Sequence, residues 1–117
     1  MKVGIEHPSE FLPATVTDKI RNEAFKAERE RDLTSLQRNL IYEEQWFNMY
    51  VPKEYGGLGL SLPEILRIEE GLSWTDGSTG WVVTLCSGAA WFMGFLNIEL
   101  SKTIFRDEKV CFAGSGA

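Results

Sequence analysis

The sequence predicts an all-α domain of about five helices, followed by one short segment of β type. Apolar residues recur at helical spacing, two of these stretches open with strong helix-start signals, and turns rich in glycine or proline separate them. A chain of 117 residues can hold one domain with one modest core. We expect residues 1–109 to form the helical domain and residues 110–117 to begin a separate β-domain.

Two helices are predicted in the N-terminal half. The first runs from about Pro13 to Arg31, where charges surround one narrow apolar stripe: Val16, Ile20, Ala24 and Ala27. The second begins after Thr34, whose hydroxyl can cap it, and runs to about Gln45. We expect its inward side chains to be Leu36, Leu40 and Ile41.

A glycine-rich turn precedes the third helix and reads Val-Pro-Lys-Glu-Tyr-Gly-Gly-Leu-Gly over residues 51–59. Glycine allows positive φ and Pro52 fixes its own φ, so the segment is a shaped turn. A phosphate cradle would follow a β-strand pattern, which is absent, and a structural turn is therefore favoured. Ser61 and Glu64 form a capping box for the third helix, with one apolar face: Ile65, Ile68 and Leu72.

The fourth helix is predicted to open near Ser78 or Thr79, after a break at Asp76. From Trp81 to Leu96 it is apolar on nearly all sides, which is typical of a helix in a membrane or at the centre of a bundle. The run is shorter than the roughly 20 residues that span a bilayer, so we expect central burial and no membrane insertion. Asn97 can cap a fifth helix, and a short β-type run, Val-Cys-Phe-Ala, follows at residues 110–113.

Composition and charge exclude several functions. The net charge is −5 and the basic residues do not cluster, which argues against nucleic-acid binding. With one histidine and two separated cysteines, we expect no metal site and no catalytic nucleophile–base pair. The N-terminal residues lack the apolar core of a signal peptide, so we expect a cytoplasmic protein.

Several motifs, in this order, resemble the N-terminal helical domain of the acyl-CoA dehydrogenase superfamily. They are the glycine-rich turn, the Glu69-Glu70 pair, the Asp-Gly-Ser-Thr-Gly corner at residues 76–80, a fourth helix rich in small residues, and the strand at 110–113. The resemblance implies a middle β-domain and a C-terminal helical bundle beyond this chain, and FAD bound where those two domains meet. It also implies an acyl-CoA or related substrate, a catalytic Glu beyond Ala117, and a homodimer or homotetramer.

The resemblance also implies two groups of site residues. Positions on the fourth helix that match the wall of the acyl pocket are Val82, Val83, Leu85 and Cys86. Plain core packing is the alternative for each of them. Positions on the terminal strand that match the flavin contacts are Phe112, Gly114 and Ser115.

Two branches of the superfamily fit the sequence in different ways. Ser-Gly-Ala at residues 115–117 replaces the dehydrogenase motif Thr-Glu-Pro, and the corner after Asp76 is similar to the flavin-dependent hydroxylases, which use FMN or free reduced flavin. Those hydroxylases often carry a His before an aromatic residue of the fourth helix, where this chain has Ala89-Ala90-Trp91-Phe92.

Three hypotheses of function follow. The first is the N-terminal domain of an FAD-dependent acyl-CoA dehydrogenase-type oxidoreductase, forming one wall of its cavity and inactive alone. The second is the same domain of a flavin-dependent hydroxylase with an aromatic or polycyclic substrate. The third is a non-catalytic helical interaction module, whose binding surface would include Trp46, Phe47, Trp91 and Phe92.

Overall fold

The computed structural model describes Gly4 and residues 6–114, and these residues form five α-helices. In chain order the helices are α1 (Ala14–Glu30), α2 (Ser35–Glu43), α3 (Leu62–Thr75), α4 (Gly77–Met93) and α5 (Ile98–Ile104). Short 3-10 turns lie at Pro8–Glu10, Trp46–Asn48 and Lys53–Tyr55. The predicted all-α domain of five helices is confirmed, with bounds close to those expected.

The core lies between α1, α2, α3, one face of α4 and the turn that follows α2. Its apolar side chains are nearly inaccessible to solvent, and they are Ile20, Leu33, Leu40, Ile41, Trp46, Phe47, Met49, Ile65, Leu72 and Val83. Burial of this set supplies the main favourable free energy of folding.

The inward face of α2 differs from the prediction at one position. Leu36 is 44% exposed, whereas the neighbouring Gln37 is fully buried. The Gln37 side chain accepts a hydrogen bond from the Thr34 N–H (3.0 Å) and donates one to the Ile20 carbonyl (3.2 Å). A glutamine can be buried here because the helix cap and α1 satisfy both ends of its amide.

The predicted exposure of Trp46 and Phe47 is wrong. Both side chains are buried, because the 3-10 turn after α2 directs them into the core. The aromatic residues of the third hypothesis therefore reduce to Trp91 and Phe92, which are exposed.

The glycine-rich turn is a structural turn, as expected. Gly56 and Gly59 have positive φ values of 85° and 55°. The amides of residues 56–60 all donate to backbone carbonyls between residues 48 and 53, at 2.9–3.1 Å. Because these N–H groups are already bonded, they are not free to hold a phosphate.

Asp76 alone separates α3 from α4 and belongs to the ends of both. Its N–H donates to the Leu72 carbonyl, while its carboxylate accepts hydrogen bonds from the Thr79 N–H (3.0 Å) and hydroxyl (2.6 Å). Arg21 of α1 donates to the carbonyls of Trp74 and Thr75, and its guanidinium lies 4.0 Å from the Trp74 ring centroid. The corner is thus fixed by a cap on α4 and by a cation that binds the last carbonyls of α3.

The backbones of α3 and α4 approach closely at Gly80. A Cβ added at Gly80 would overlap both the backbone and the side chain of Ser73. Farther along α4, a Cβ at Gly88 would meet no atom within 4 Å. Of these two glycines, Gly80 is required because the packing leaves no room for a side chain, whereas Gly88 has room for one.

The expected burial of α4 on all sides is wrong for the described residues. One face is buried, through Thr79, Val83, Ser87 and Ala90. The opposite face is open, and large apolar side chains on it and just beyond the helix are Trp81 (67% exposed), Leu85, Trp91, Phe92 (61%) and Phe95 (70%). The C-terminal segment lies beside α4 near Ala89, but it leaves these large side chains exposed.

Residues 110–114 have no regular secondary structure, and residues 115–117 lie outside the described part of the chain. A strand is defined by hydrogen bonds to a neighbouring strand, and a lone extended segment has none. The assignment of residues 110–117 to the start of a β-domain therefore stays a prediction. Within the described residues, no helix has the length and hydropathy to cross a membrane.

Two matched substitutions test the close approach of α3 and α4. Gly80→Ala is expected to lower the free energy of unfolding by roughly 1–3 kcal/mol, because the new methyl group must displace Ser73. Gly88→Ala is expected to be neutral or to add up to about 1 kcal/mol, because alanine favours the helix and meets no atom. Urea unfolding followed by circular dichroism measures both, and equal losses in the two variants would contradict the packing described.

Candidate ligand cavity

An open cavity of about 1020 Å³ lies along the exposed side of α4. Three parts of the chain form its wall: the region before and at the start of α3, the exposed face of α4, and the C-terminal segment of the described chain. The lining residues are Tyr50, Leu60, Leu62, Thr84, Leu85, Gly88, Ala89, Trp91, Phe92, Met93, Phe112, Ala113 and Gly114.

Small residues at the middle of α4 make room for this cavity. Gly88 has open space where a side chain would project, and Ala89 adds only a methyl group. Leu85 and Phe92 lie one turn before and after Gly88 and continue the apolar wall. The small-residue stretch of the sequence therefore corresponds to the floor of a cavity.

The C-terminal segment runs beside α4 at the same place. A Cβ built on Gly114 would lie 3.7 Å from the Cβ of Ala89. Phe112 contacts Phe105 edge-on with ring centroids 5.8 Å apart, and Phe105 stacks on Tyr55 of the glycine-rich turn at 6.3 Å. This row of aromatic rings fixes Phe112 relative to the turn and α5.

The structure brings together three of the predicted site residues and separates the others. Leu85, Phe112 and Gly114 line the cavity. Val83 is fully buried in the core, in agreement with the packing alternative, and Val82 lines a second cavity of about 590 Å³ beside Trp81. Cys86 is half-buried and packs against the core, and Ser115 lies outside the described residues.

Several cavity residues were missed by sequence reasoning. Tyr50, Leu60 and Leu62 flank the glycine-rich turn and the start of α3, and they line the cavity together with residues of α4. The turn bonds back onto residues 48–53, which brings Leu60 beside Tyr50. The sequence signal that could have identified them is their position on both sides of the glycine-rich turn. The sequence places Trp91 and Phe92 in a candidate protein-binding surface and in the stretch where flavin-dependent hydroxylases often carry a His, but it does not predict that they line a cavity.

A buried carboxylate lies between α3 and α4. Glu69 is 9% exposed, and its Oε1 accepts a hydrogen bond from the Ser87 hydroxyl at 3.3 Å. Burial raises the pKa of Glu69, and the hydrogen bond from Ser87 opposes that rise. Burial, followed by the charge of Glu69, also raises the pKa of Tyr50, whose side chain lines the cavity.

The lining of the cavity suits a neutral apolar ligand. Its wall holds leucine, methionine and aromatic side chains, and the lining residues include no charged side chain. The polar side-chain groups in the wall are the hydroxyls of Tyr50 and Thr84 and the indole N–H of Trp91. Among the described residues, no cluster of three or more His, Cys, Asp or Glu could hold a metal ion.

Comparison with known proteins matches most of the chain to one family model and about half of it to a curated relative. Residues 9–99 match the family model described as acyl-CoA dehydrogenase, N-terminal domain. A curated relative, a pigment production hydroxylase from Rhodococcus sp. (strain ATCC 21145), is 39% identical over 57 residues. The aligned stretch covers 49% of this chain and 15% of that relative, so the chain corresponds to a small part of it. No solved structure matches the chain.

The buried carboxylate leads to a prediction about stability and pH. Because the pKa of Glu69 is raised above its unfolded value of 4.5, stability falls as pH rises from that value through the folded-state pKa. Glu69→Gln keeps an acceptor for Ser87 and removes the charge, so it is expected to stabilise the protein at pH 7 by roughly 1 kcal/mol. The gain should shrink as the pH is lowered through the folded-state pKa, and it should be essentially lost once the pH is below 4.5.

Urea unfolding at pH 7 and at pH 4 measures this effect. Glu70→Gln is the matched control, because Glu70 is the exposed neighbour on the same helix. It should change stability by less than about 0.5 kcal/mol at either pH. A loss of stability in Glu69→Gln at pH 7 would show instead that the charged form of Glu69 is favoured by the fold.

Proposed function

Since the chain belongs to the acyl-CoA dehydrogenase family as an N-terminal domain, we propose that it forms one wall of the substrate and flavin cavity of a larger FAD-dependent oxidoreductase. In this proposal the domain has no activity of its own. The carrying observation is the open apolar cavity along α4, whose wall joins the helical domain to the C-terminal segment of the described chain.

The exposed face of α4 supports the proposal. Large apolar side chains seldom form a continuous exposed face on a monomeric protein unless another surface covers them. Here Trp81, Leu85 and Phe92 recur along one side of the helix and Phe95 follows just beyond it, where the remaining domains of a parent chain would pack. Once covered, the cavity would exclude water and strengthen electrostatic interactions inside it.

The residues of the cavity fit a flavin at one end. Phe112 offers an aromatic wall for a planar ring, and Gly114 lets the chain lie close to it. Ser115, outside the described residues, would add a hydroxyl donor in the same segment. FAD, when bound, would accept hydride from the substrate, and the part of this chain is to orient the ring, line the apolar pocket through Leu85 and keep the site dry.

Hydroxylation is a second candidate, and a specific observation favours it. The curated relative is named a pigment production hydroxylase, and the aromatic lining of the cavity would also suit an aromatic or polycyclic substrate. Under this second proposal, the larger enzyme that contains this domain uses reduced flavin and molecular oxygen. The chain has Ala89 and Ala90 before Trp91, so it would not bind a phenol through an imidazole at that point.

One experiment separates the two chemistries. The protein, expressed with any sequence that follows Ala117 in its gene, is mixed without oxygen with a panel of acyl-CoA thioesters, and bleaching of the flavin absorbance is recorded. It is then supplied with reduced FMN, oxygen and a panel of polycyclic phenols, and incorporation of ¹⁸O from ¹⁸O₂ is measured. Bleaching supports dehydrogenation and ¹⁸O incorporation supports hydroxylation.

A gene whose reading frame ends at codon 117 would overturn both enzyme proposals. It would favour the third hypothesis, a helical interaction module that binds a partner through Trp91 and Phe92.

A cavity-filling variant tests whether the cavity is the substrate site. Gly88→Leu places a side chain in open space that opens on the cavity, so the fold should persist while kcat/KM falls roughly tenfold or more. Gly77→Leu is the matched control, because Gly77 also faces open space but lies at the second cavity. Equal activity of the two variants would mean that the substrate does not occupy the cavity beside Gly88.

A further inference from the structure

Tyr50 has a fixed position in the wall of the cavity. The residues on both sides of it, Met49 and Val51, are fully buried in the core. The Met49 carbonyl accepts a hydrogen bond from the Leu60 N–H (3.0 Å), and the Val51 carbonyl accepts one from the Gly59 N–H (2.9 Å). The backbone that carries the Tyr50 side chain is therefore held both by the core and by the glycine-rich turn.

The Tyr50 side chain combines a packed ring with an accessible hydroxyl. Tyr50 is half-buried and packs against the core. Its hydroxyl makes no hydrogen bond to another described residue, and the buried side-chain polar atom that lacks a partner in this part of the chain is Asn48 Oδ1. The Tyr50 hydroxyl is thus not buried, and since the residue lines the cavity, a ligand in the cavity can reach it.

The other two polar groups of the wall are less suited to bind a ligand. Thr84 lies on α4, where a threonine hydroxyl can bond to a carbonyl one turn earlier in the helix. Trp91 contacts Phe92 and Phe95 edge-on, with ring centroids 4.9 and 5.0 Å apart, on the side of α4 that further domains are proposed to cover. The Tyr50 hydroxyl is therefore the polar group of the wall that remains for a ligand.

We propose that Tyr50 is a specificity-determining residue of this cavity, where its hydroxyl donates a hydrogen bond to an acceptor oxygen on a neutral, otherwise apolar ligand. This inference rests on the function proposed above, because it takes the cavity as the substrate site. A ligand without the oxygen would cut the hydroxyl off from water and leave it without a partner, so the site would reject that ligand. The carbonyl of an acyl thioester and the carbonyl of a ring ketone both supply such an oxygen.

The protonation state of Tyr50 agrees with a donor role. Burial, followed by the charge of Glu69, raises the pKa of Tyr50 above its ordinary value of 10.0. The phenol therefore keeps its proton at neutral pH and can donate it in a hydrogen bond. The cavity lining includes no charged side chain that would compete for this donor.

The test is the binding of two matched pairs of small ligands to the protein, expressed with any sequence that follows Ala117 in its gene. 1-Tetralone is compared with tetralin, and S-ethyl hexanethioate is compared with ethyl hexyl sulfide, so that in each pair one ligand has a carbonyl oxygen and the other has none. Kd values are measured by equilibrium dialysis. Tyr50→Phe removes the hydroxyl and keeps the ring, so it should raise the Kd of at least one carbonyl ligand by roughly three- to tenfold. The Kd of its carbonyl-free partner should stay within about twofold. The pair that responds identifies the ligand as a ring ketone or a thioester.

A matched variant and a spectrum accompany the binding measurement. Tyr42→Phe is the control, because Tyr42 is also half-buried against the core but does not line the cavity, and it should leave all four Kd values within about twofold. The infrared carbonyl band of the bound ligand should lie at a lower frequency than in hexane, and Tyr50→Phe should return it toward the hexane value. A purely structural role of Tyr50 would not move this band.

The outcomes separate a failure of this inference from a failure of the proposed function. If Gly88→Leu abolishes binding but Tyr50→Phe changes both members of each pair equally, or changes neither, this inference alone is wrong. Binding that survives in Gly88→Leu, or no binding of any probe, would overturn the proposed substrate site as well. If Tyr50→Phe fails to fold, the wild-type spectrum decides, because a carbonyl band at its hexane frequency would contradict the hydrogen bond.

Discussion

The close approach of α4 to α3 at Gly80 is the constraint on which the rest of the structure depends. Asp76 restricts the relative orientation of α3 and α4, because this single residue ends α3 and caps α4. With Gly80 pressed against Ser73, the rotation of α4 about its axis is set. Val83, Ser87 and Ala90 then follow at helical spacing on the same inward face.

That rotation decides which residues are left outside. The other side of α4 carries Leu85, Gly88 and Phe92, so the same contact that closes the core also exposes an apolar surface with a gap at its centre. The aromatic row from Tyr55 to Phe112 brings the C-terminal segment to the edge of this gap. The cavity is thus a consequence of core packing on one face of α4 and of ring stacking at its rim.

Much of the fold was predictable from the sequence, because caps and turns are local signals. Thr34, Ser61, Asp76 and Asn97 open four of the five described α-helices where expected or within two residues, since a side-chain cap acts within one turn. The side of a helix that is buried is not a local property. Leu36 and Gln37 exchanged their expected roles because the partner of Gln37 is a carbonyl of α1, far along the chain.

The site was less predictable for the same reason. An apolar run cannot distinguish a helix buried by its own domain from one that another surface covers, so the exposure of α4 was missed. Val83 and Leu85 have the same apolar character and lie two positions apart, yet one faces the core and the other the cavity. In the sequence, Glu69 and Glu70 are two adjacent carboxylates that cannot be distinguished. Only the packing of α3 on α4 shows that Glu69 is the buried one.

The most direct test of the central claim, that the outer face of α4 is a surface covered by further domains, is hydroxyl-radical footprinting. The 117-residue chain and the full product of its gene are labelled side by side, and oxidation is quantified by mass spectrometry at Trp81, Trp91, Phe92 and Phe95. Strong labelling in the chain and several-fold protection in the full product are predicted, with the partly exposed Trp74 of α3 labelled equally in both. Equal labelling of the α4 residues in the two proteins would contradict the account.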